Sequence, residues 1–221
     1  MLFYIDDTLI EELDDNNSIV VLEQLAASRR KGNHIVTGSR EILRMLSQHD
    51  SLSIPTQGIY RKLYNELATV ANTLNKLPTR VEITSGDIFK TLQQNDIQII
   101  KVSIKYLTNL DFNETTFLAE NLSDIKFYET LAKVYIHKKR LGKIPIRCNR
   151  RGGGGQTTAQ ELEAIISRKQ EICLSILDSD RKSPYCGLGD TANKAKKIYE
   201  KSKYRTKTGE IDENQLDVHL G

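Results

Sequence analysis

Short apolar runs alternate with stretches in which apolar residues recur every three or four positions. In the first half of the chain, four apolar runs predict buried strands, at 2–5, 34–37, 81–84 and 97–104. Four periodic stretches predict helices, at 18–31, 40–48, 58–77 and 87–94. Strands that alternate with helices are typical of an α/β arrangement with a mainly parallel sheet.

The second half repeats this pattern. Strands are predicted at 115–119, 144–148 and 172–177. Helices are predicted at 123–139, 158–169 and 190–203. We therefore expect an α/β accessory or partner-binding region over 1–112 and a second α/β domain over 113–221. One continuous Rossmann-like sheet, in which Asp6 approaches Glu120, remains an alternative.

Composition narrows the class of protein. The 221 residues are 38% hydrophobic and 28% charged, which excludes collagen-like and plainly disordered chains. No window approaches 18 consecutive apolar residues, and acids within the first seven residues do not fit a signal peptide. Cys148, Cys173 and Cys186 form no C-x-x-C pair and suggest neither a disulfide framework nor a zinc site. We expect a soluble, cytoplasmic protein with no membrane partner.

Charge is distributed unevenly. Residues 1–112 hold 12 Lys+Arg and 14 Asp+Glu, whereas residues 113–221 hold 20 and 15. Eight of the basic residues lie between Thr130 and Gln160, where there is no acid, and seven more lie between Lys194 and Lys207. These clusters are either solvated surfaces or a binding surface for a polyanion, of which nucleic acid is the commonest.

Carboxylates follow two strands of the second half. Glu120 comes directly after the run at 115–119, and Asp178 and Asp180 follow the run at 172–177. Ligands of open α/β sheets bind at the carboxyl ends of the strands, and Asp124 could reach the same place from the next helix. Four converging carboxylates repel one another unless a hard cation such as Mg²⁺ or Mn²⁺ joins them. Taken singly, Asp-x-Asp is more often a helix cap or turn.

Two of these segments carry a family resemblance. FLAENLSD (117–124) and CLSILDSD (173–180) resemble the motifs of the Toprim catalytic domain, a strand ending in Glu and a later strand ending in Asp-x-Asp. That domain occurs in topoisomerases, primases and overcoming-lysogenization-defect (OLD) nucleases. The resemblance covers about residues 113–203, and it implies a Rossmann-like Toprim fold. It also implies Mg²⁺-dependent cleavage of nucleic acid by Glu120, Asp178 and Asp180, with Asp124 as a further metal ligand.

The chain differs from the Toprim pattern in three places. Asn121 stands where many members have Gly, and Lys182 stands where some have a third Asp. Lys182 is then a candidate for a phosphate contact. A Toprim sheet also has a further strand, for which only 217–220 remain. Either the domain is truncated at its C-terminus or a partner completes that edge.

A glycine-rich run lies between the two motifs, at 152–155, directly after Arg150 and Arg151. Glycine lets a backbone approach a phosphate closely, so the run is either a phosphate contact or a flexible loop. We favour a nucleic-acid contact. The candidate nucleic-acid-binding residues are Arg147, Arg150, Arg151, Gly153, Gly154, Lys182, Lys194 and Lys197.

These observations predict a metal-dependent nuclease or nuclease subunit that acts on DNA, with RNA left open. The resemblance places small Toprim proteins beside an ATPase or another protein of antiphage defence. The alternative is a catalytically degenerate Toprim-like protein that binds nucleic acid or serves assembly. The segment YIDDT (4–8) resembles the opening strand of PIN-like nucleases, but an accessory role for residues 1–112 is the simpler interpretation. A homo-oligomer is left open.

Overall fold

The protein is an α/β protein with two separate sheets. The computed structural model describes residues 1–141, 144–181, 183 and 185–207. The chain folds into two compact units. The first comprises Met1–Asn113 and Ile136–Pro145, and the second comprises Glu114–Tyr135 and the described residues from Ile146 onward. Because the strands form two sheets, the alternative of one continuous sheet is wrong.

The first unit contains a five-stranded sheet of order β2-β1-β3-β5-β4, in which only β4 is antiparallel. Its strands are β1 (Leu2–Ile5), β2 (Ile35–Gly38), β3 (Thr79–Thr84), β4 (Phe89–Gln94) and β5 (Ile97–Ser103). Its helices are α1 (Asn16–Lys31), α2 (Arg40–Leu46) and α3 (Ile54–Leu74). A mainly parallel sheet is what the alternation of elements predicts.

The strand register separates apolar from charged positions in this sheet. Phe3 pairs with Val81, which pairs with Ile100, and all three are buried. The next position along each strand pairs Tyr4, Glu82 and Lys101, whose side chains point to the opposite face. The buried Glu82 carboxylate is paired there with Arg80 at 2.6 Å and Lys101 at 3.0 Å. Those two cations compensate a carboxylate that burial would otherwise destabilise.

The helix predicted at 87–94 is wrong, because residues Phe89–Gln94 form the edge strand β4. Phe89 and Leu92 are three positions apart, which is helical spacing but is also compatible with an exposed strand. The deciding feature is the hairpin turn that follows. Asn95 adopts a left-handed backbone with φ of 53°, and Gln94 pairs with Ile97 across the turn.

Two helices begin earlier than their patterns predict. Asp15 caps α1 by accepting the backbone N–H of Ser18, so the helix starts before Ser18. α3 starts at Ile54 with Pro55 in its first turn. Its first turn has an acceptor from another helix. Glu23 of α1 accepts Ser53 N–H at 2.5 Å, Ser53 Oγ–H at 2.9 Å and Thr56 Oγ1–H at 2.5 Å.

The second unit contains a three-stranded parallel sheet of order β7-β6-β8. Its strands are β6 (Thr115–Ala119), β7 (Cys148–Gly152) and β8 (Cys173–Ile176). Its helices are α4 (Leu122–Lys138), whose last three residues are grouped with the first unit, α5 (Thr158–Arg168) and α6 (Asp190–Lys207). Ile125 of α4 forms a buried cluster with Phe117 and Ala119 of β6, and Tyr128, Leu174 and Ile176 pack against that cluster. α5 packs against both β6 and α6.

The strand predicted at 144–148 is misplaced, because β7 covers Cys148–Gly152. β7 is an edge strand held by backbone pairing with β6 and contains Arg150 and Arg151, so apolar content does not reveal it. Lys182 and the strand predicted at 217–220 lie outside the described residues. Among the helices that are described, none combines the length and apolar character needed to cross a bilayer.

We predict that Glu23→Ala lowers the unfolding free energy of the first unit by about 1–3 kcal/mol, since three donors at the start of α3 lose their acceptor. Burial raises the pKa of Glu23, but the hydrogen bonds from Thr56 and Ser53 outweigh this and leave its pKa lowered. The stabilisation is therefore present above the ordinary Glu pKa and is lost as pH falls through the lowered one.

Urea unfolding of wild type and variant at neutral and acidic pH measures the effect. The control is Glu66→Ala, which removes only an exposed pair with Lys62 at 3.8 Å and is expected to cost less than about 0.5 kcal/mol. Equal destabilisation by both substitutions contradicts the capping role of Glu23.

Candidate carboxylate site

Parallel pairing brings three chain segments to one edge of the second sheet. Ala119, the last residue of β6, is opposite Gly152 of β7 and Ile176 of β8. The chain that leaves these strands carries Glu120, then the glycine-rich segment, and then Asp178. The predicted carboxylates therefore emerge at the same edge, where ligands of α/β sheets bind.

Glu120 is the most perturbed acid of this edge. Burial raises the pKa of its carboxyl group, and the negative charges of Asp180, Asp178 and Asp124 raise it further. Its Oε1 atom is buried and has no hydrogen-bond partner. A buried carboxylate oxygen without a donor is costly, so this atom is available to a cation or a proton.

Asp124 has a structural contact as well as a position near Glu120. Its Oδ2 atom accepts the backbone N–H of Asn121 at 3.0 Å. An acid in the first turn that reaches back in this way makes one of the two hydrogen bonds of a capping box at the start of α4. Asn121, which replaces the Gly of many Toprim domains, directly precedes α4, and it is the backbone N–H of Asn121, not its side chain, that donates to Asp124.

Asp178 and Asp180 lie on an exposed loop after β8. Asp180 has a left-handed backbone with φ of 47°, which is uncommon for a residue with a side chain. Gly189 donates its N–H to the carbonyl of Ser179 at 2.7 Å, which ties the loop to the start of α6. A Cβ atom at Gly189 would lie 2.4 Å from Cβ of Asp180. Only glycine at 189 leaves room for Asp180 in this position.

The donor set fits a hard cation in chemistry. All four side chains supply carboxylate oxygens, which Mg²⁺ and Mn²⁺ prefer, and one of those oxygens is buried and unpaired. In the part of the chain that the structure describes, however, no three His, Cys, Asp or Glu side chains are arranged to hold a metal ion as they stand. The three aspartates are close enough to raise the pKa of Glu120, but the four carboxylates do not form a closed set of metal ligands.

The glycine-rich segment makes backbone contacts to the end of β6. Gly153 donates its N–H to the carbonyl of Ala119 at 2.8 Å, and Gly154 donates to that of Glu120 at 3.0 Å. A Cβ atom at Gly153 would lie 2.5 Å from Cα of Thr158, so glycine is needed there for close packing on α5. These two N–H groups are engaged within the protein, and the packing at Gly153 and the φ of 68° at Gly154 explain those two glycines without a phosphate.

Arg150 and Arg151 both form ion pairs within the second unit. Arg150 donates two hydrogen bonds to Glu129, at 2.8 and 2.7 Å. These bonds lower the pKa of Glu129, and burial raises the pKa of Cys148, which also donates to Glu129, to about 11. Arg151 lies 3.5 Å from Glu171. Both guanidinium groups are therefore paired with carboxylates, and binding a phosphate would require them to exchange or share these partners.

The remaining basic candidates divide by position. Arg147 is exposed just before β7. Lys194, Lys196 and Lys197 are exposed on α6, the helix that follows the Asp178–Asp180 loop, and Lys196 lies 3.7 Å from Glu200. Lys182 is not among the described residues.

Sequence reasoning missed Glu129, Glu171 and Gly189. The two acids lie 21 and 20 residues from the arginines that they bind, so no local spacing marks them. Gly189 follows Gly187 in a segment whose composition indicates a loop. A glycine just before a predicted helix is the available signal, but it does not specify which residue needs the space.

Acids at the first sheet have local partners. Asp6 accepts the N–H of Thr8 at 3.0 Å, and the hydroxyl of Ser39 donates to Asp7. Ser39 in turn caps α2 by accepting the N–H of Glu41 at 3.1 Å. These contacts form a strand-end turn and a helix cap.

Comparison with known proteins adds no relative: no protein-family model, no curated protein and no solved structure matches the chain. The interpretation of the site therefore depends on the order of the motifs and on the local geometry described above.

We predict that Glu120→Gln stabilises the folded protein at neutral pH in the absence of divalent cations. Because the pKa of Glu120 is raised on folding, its favourable contribution is complete below the ordinary Glu pKa and is lost as pH rises through the raised value. The amide has the same shape and no charge, so the difference between variant and wild type is expected to disappear at acidic pH.

Thermal unfolding with and without Mg²⁺ measures this. At a free Mg²⁺ concentration about one hundred times the dissociation constant, binding stabilises the wild type by about 2.7 kcal/mol. The variant is expected to gain much less. An equal gain in both proteins contradicts a cation site at Glu120.

Proposed function

We propose that the second unit is a metal-dependent nuclease, or the nuclease subunit of a larger assembly, with a Toprim-like fold. The observation that carries the proposal is the electrostatic coupling of Glu120 to Asp124, Asp178 and Asp180 at the carboxyl edge of β6 and β8. Structural carboxylates are normally kept apart or paired with cations, whereas the three aspartates here raise the pKa of Glu120. The unpaired buried Oε1 atom of Glu120 supports the same conclusion.

The residues divide into distinct roles under this proposal. Glu120, held at the end of a buried strand, supplies a fixed ligand, and Asp178 and Asp180 supply ligands from the loop that Gly189 anchors. Asp124 contributes negative charge while its Oδ2 atom caps α4. A Mg²⁺ or Mn²⁺ ion held by these carboxylates would supply Lewis-acid polarisation of a phosphodiester and activation of water. Glu120 holds a proton or a cation, and the lysines of α6 orient the phosphate.

DNA is the proposed substrate, and RNA, which has the same phosphodiester linkage, is the alternative substrate. Lys194 and Lys197 are exposed on α6, which begins at the anchor of the Asp178–Asp180 loop. Lysines in this position supply phosphate contacts without sequence specificity. An ATPase or another defence protein as partner is part of the proposal only through the Toprim resemblance.

A non-catalytic role in binding or assembly is the second candidate, and specific observations favour it. Asp124 serves as a helix cap, and among the described residues no three ligand-type side chains form a closed set. Arg150 and Arg151 are also engaged by Glu129 and Glu171. A Toprim-like unit with these features could retain the fold and the basic surface without cleavage.

We predict that Asp178→Asn abolishes Mn²⁺- or Mg²⁺-dependent plasmid nicking while DNA affinity is unchanged or increased. The substitution removes a proposed ligand and one negative charge from the site, but it leaves the side-chain shape intact. Nicking assays and fluorescence anisotropy on the same preparations separate the two effects.

The matched control is Asp111→Asn, which makes the same change at an exposed position of the first unit. Equal nicking by wild type and Asp178→Asn identifies a contaminating nuclease. Binding without any nicking, even with the candidate partner present, selects the non-catalytic alternative.

We also predict that Lys194→Gln/Lys197→Gln weakens DNA binding and makes its salt dependence shallower. On duplex DNA, each phosphate interaction that the substitutions remove reduces the slope of log affinity against log salt by about 0.9. Anisotropy over a salt series measures both quantities. Lys62→Gln/Lys76→Gln removes the same charge from exposed positions of the first unit and should leave the slope unchanged. A similar effect of both double variants rejects α6 as the binding element.

A further inference from the structure

Within the described part of the first unit, the edge strand β4 is exposed to solvent along its whole length. All six of its residues are exposed, including Phe89 and Leu92 at 47% and 38%, and its only paired neighbour among the described strands is β5. Natural sheet edges are usually protected by proline, by bulges or by several charged side chains. β4 has one charged residue, Lys90, and six consecutive pairs to β5 without a bulge.

The hydrogen-bond pattern shows which backbone groups of β4 point away from the protein. Ser103 donates its N–H to the carbonyl of Ile88 at 2.8 Å, so Ile88 and Ser103 form a hydrogen-bonded pair. Such pairs alternate along an antiparallel ladder. The groups of Lys90, Leu92 and Gln94 therefore face β5, and the N–H and C=O groups of three residues face outward: Phe89, Thr91 and Gln93.

These three residues are symmetric about Thr91. A second copy of β4 that runs antiparallel, with a two-fold axis through Thr91, places Thr91 opposite Thr91 and Phe89 opposite Gln93. All three pairs are then of the hydrogen-bonded type, and together they satisfy every outward-facing group of the three residues. Lys90 comes to lie opposite Leu92, so no two lysines face each other across the axis.

From this geometry we propose that β4 is a self-association edge, through which two copies of the chain join their five-stranded sheets into one continuous sheet. The occupant is a second copy because the strand is self-complementary in both hydrogen bonding and charge. The two-fold axis stands perpendicular to the sheet, so equivalent faces of both sheets lie on the same side. The apolar side chains Phe89 and Leu92 gain cover from the strand opposite. A six-residue edge is a small interface, which implies a weak, reversible dimer.

Charge reversal at the axis tests the proposal. Thr91→Asp places two carboxylates against each other and Thr91→Lys places two ammonium groups, so each variant alone should weaken dimerisation about tenfold or more. A mixture of the two variants should restore it as a heterodimer. Sedimentation velocity over a wide concentration range measures the dissociation constants. Rescue by mixing is expected only if residue 91 faces itself.

A disulfide trap tests the register independently. In a Cys186→Ser background, Thr91→Cys should form a cross-linked dimer under mild oxidation, because a hydrogen-bonded pair separates its Cα atoms by about 5.5 Å. Gln94→Cys is the matched control on the same exposed strand. In the proposed register the two copies of residue 94 are offset by about six positions, or about 20 Å, and should not cross-link.

The fold of each variant is checked by circular dichroism, and Thr91 suits these substitutions because it is exposed on the edge strand. A wild type that remains monomeric at every concentration overturns the proposal. So does a dimer that both charge variants leave intact, or one that cross-links equally through residues 91 and 94.

Discussion

Parallel pairing of β6 with its two neighbours is the constraint on which the candidate site depends. It brings the ends of three strands to one edge, and it fixes Glu120 there because Ala119 and most of β6 are buried. The cost is electrostatic, since burial and the other carboxylates raise the pKa of Glu120 and one of its oxygens is left without a donor. Close backbone approaches at Gly153 and Gly189 allow the chain to maintain this crowding. The site is thus determined by backbone geometry first and by side-chain chemistry second.

The sequence pattern predicts the elements that bury apolar surface. β1, β6 and β8 lie where their apolar runs indicate, and each is followed along the chain by a predicted helix. The pattern fails at both strands that pack few apolar side chains. For β4 it indicates a helix, because two apolar residues three apart suit either structure, and for β7 it indicates a start too early, because Cys148–Gly152 has little apolar content. β4 and β7 are held mainly by backbone pairing, which hydropathy does not record, whereas the edge strands β2 and β8 contain enough apolar residues to be predicted.

The candidate site divides in the same way. The positions of Glu120 and Asp178 follow from the ends of strands, so the sequence predicts that they share an edge. The partners of Arg150 and Arg151 do not, because Glu129 and Glu171 reach them only through the fold. The glycine-rich run illustrates the ambiguity most clearly. Glycine indicates that a backbone approaches something closely, and here Gly153 approaches Thr158.

The pair of Arg150 and Glu129 also has a consequence for how the protein responds to its medium. It joins the edge strand β7 to helix α4 by charge, where most edges are joined by apolar packing, and the Glu129 side chain is only 11% exposed. Removing Arg150 leaves the nearly buried Glu129 carboxylate without its cationic partner, beside the Cys148 thiol. Because salt screens a partly exposed ion pair, raising the ionic strength is expected to weaken the attachment of β7 to α4. If Arg150 bound a phosphate in place of Glu129, β7 would lose the ion pair that joins it to α4.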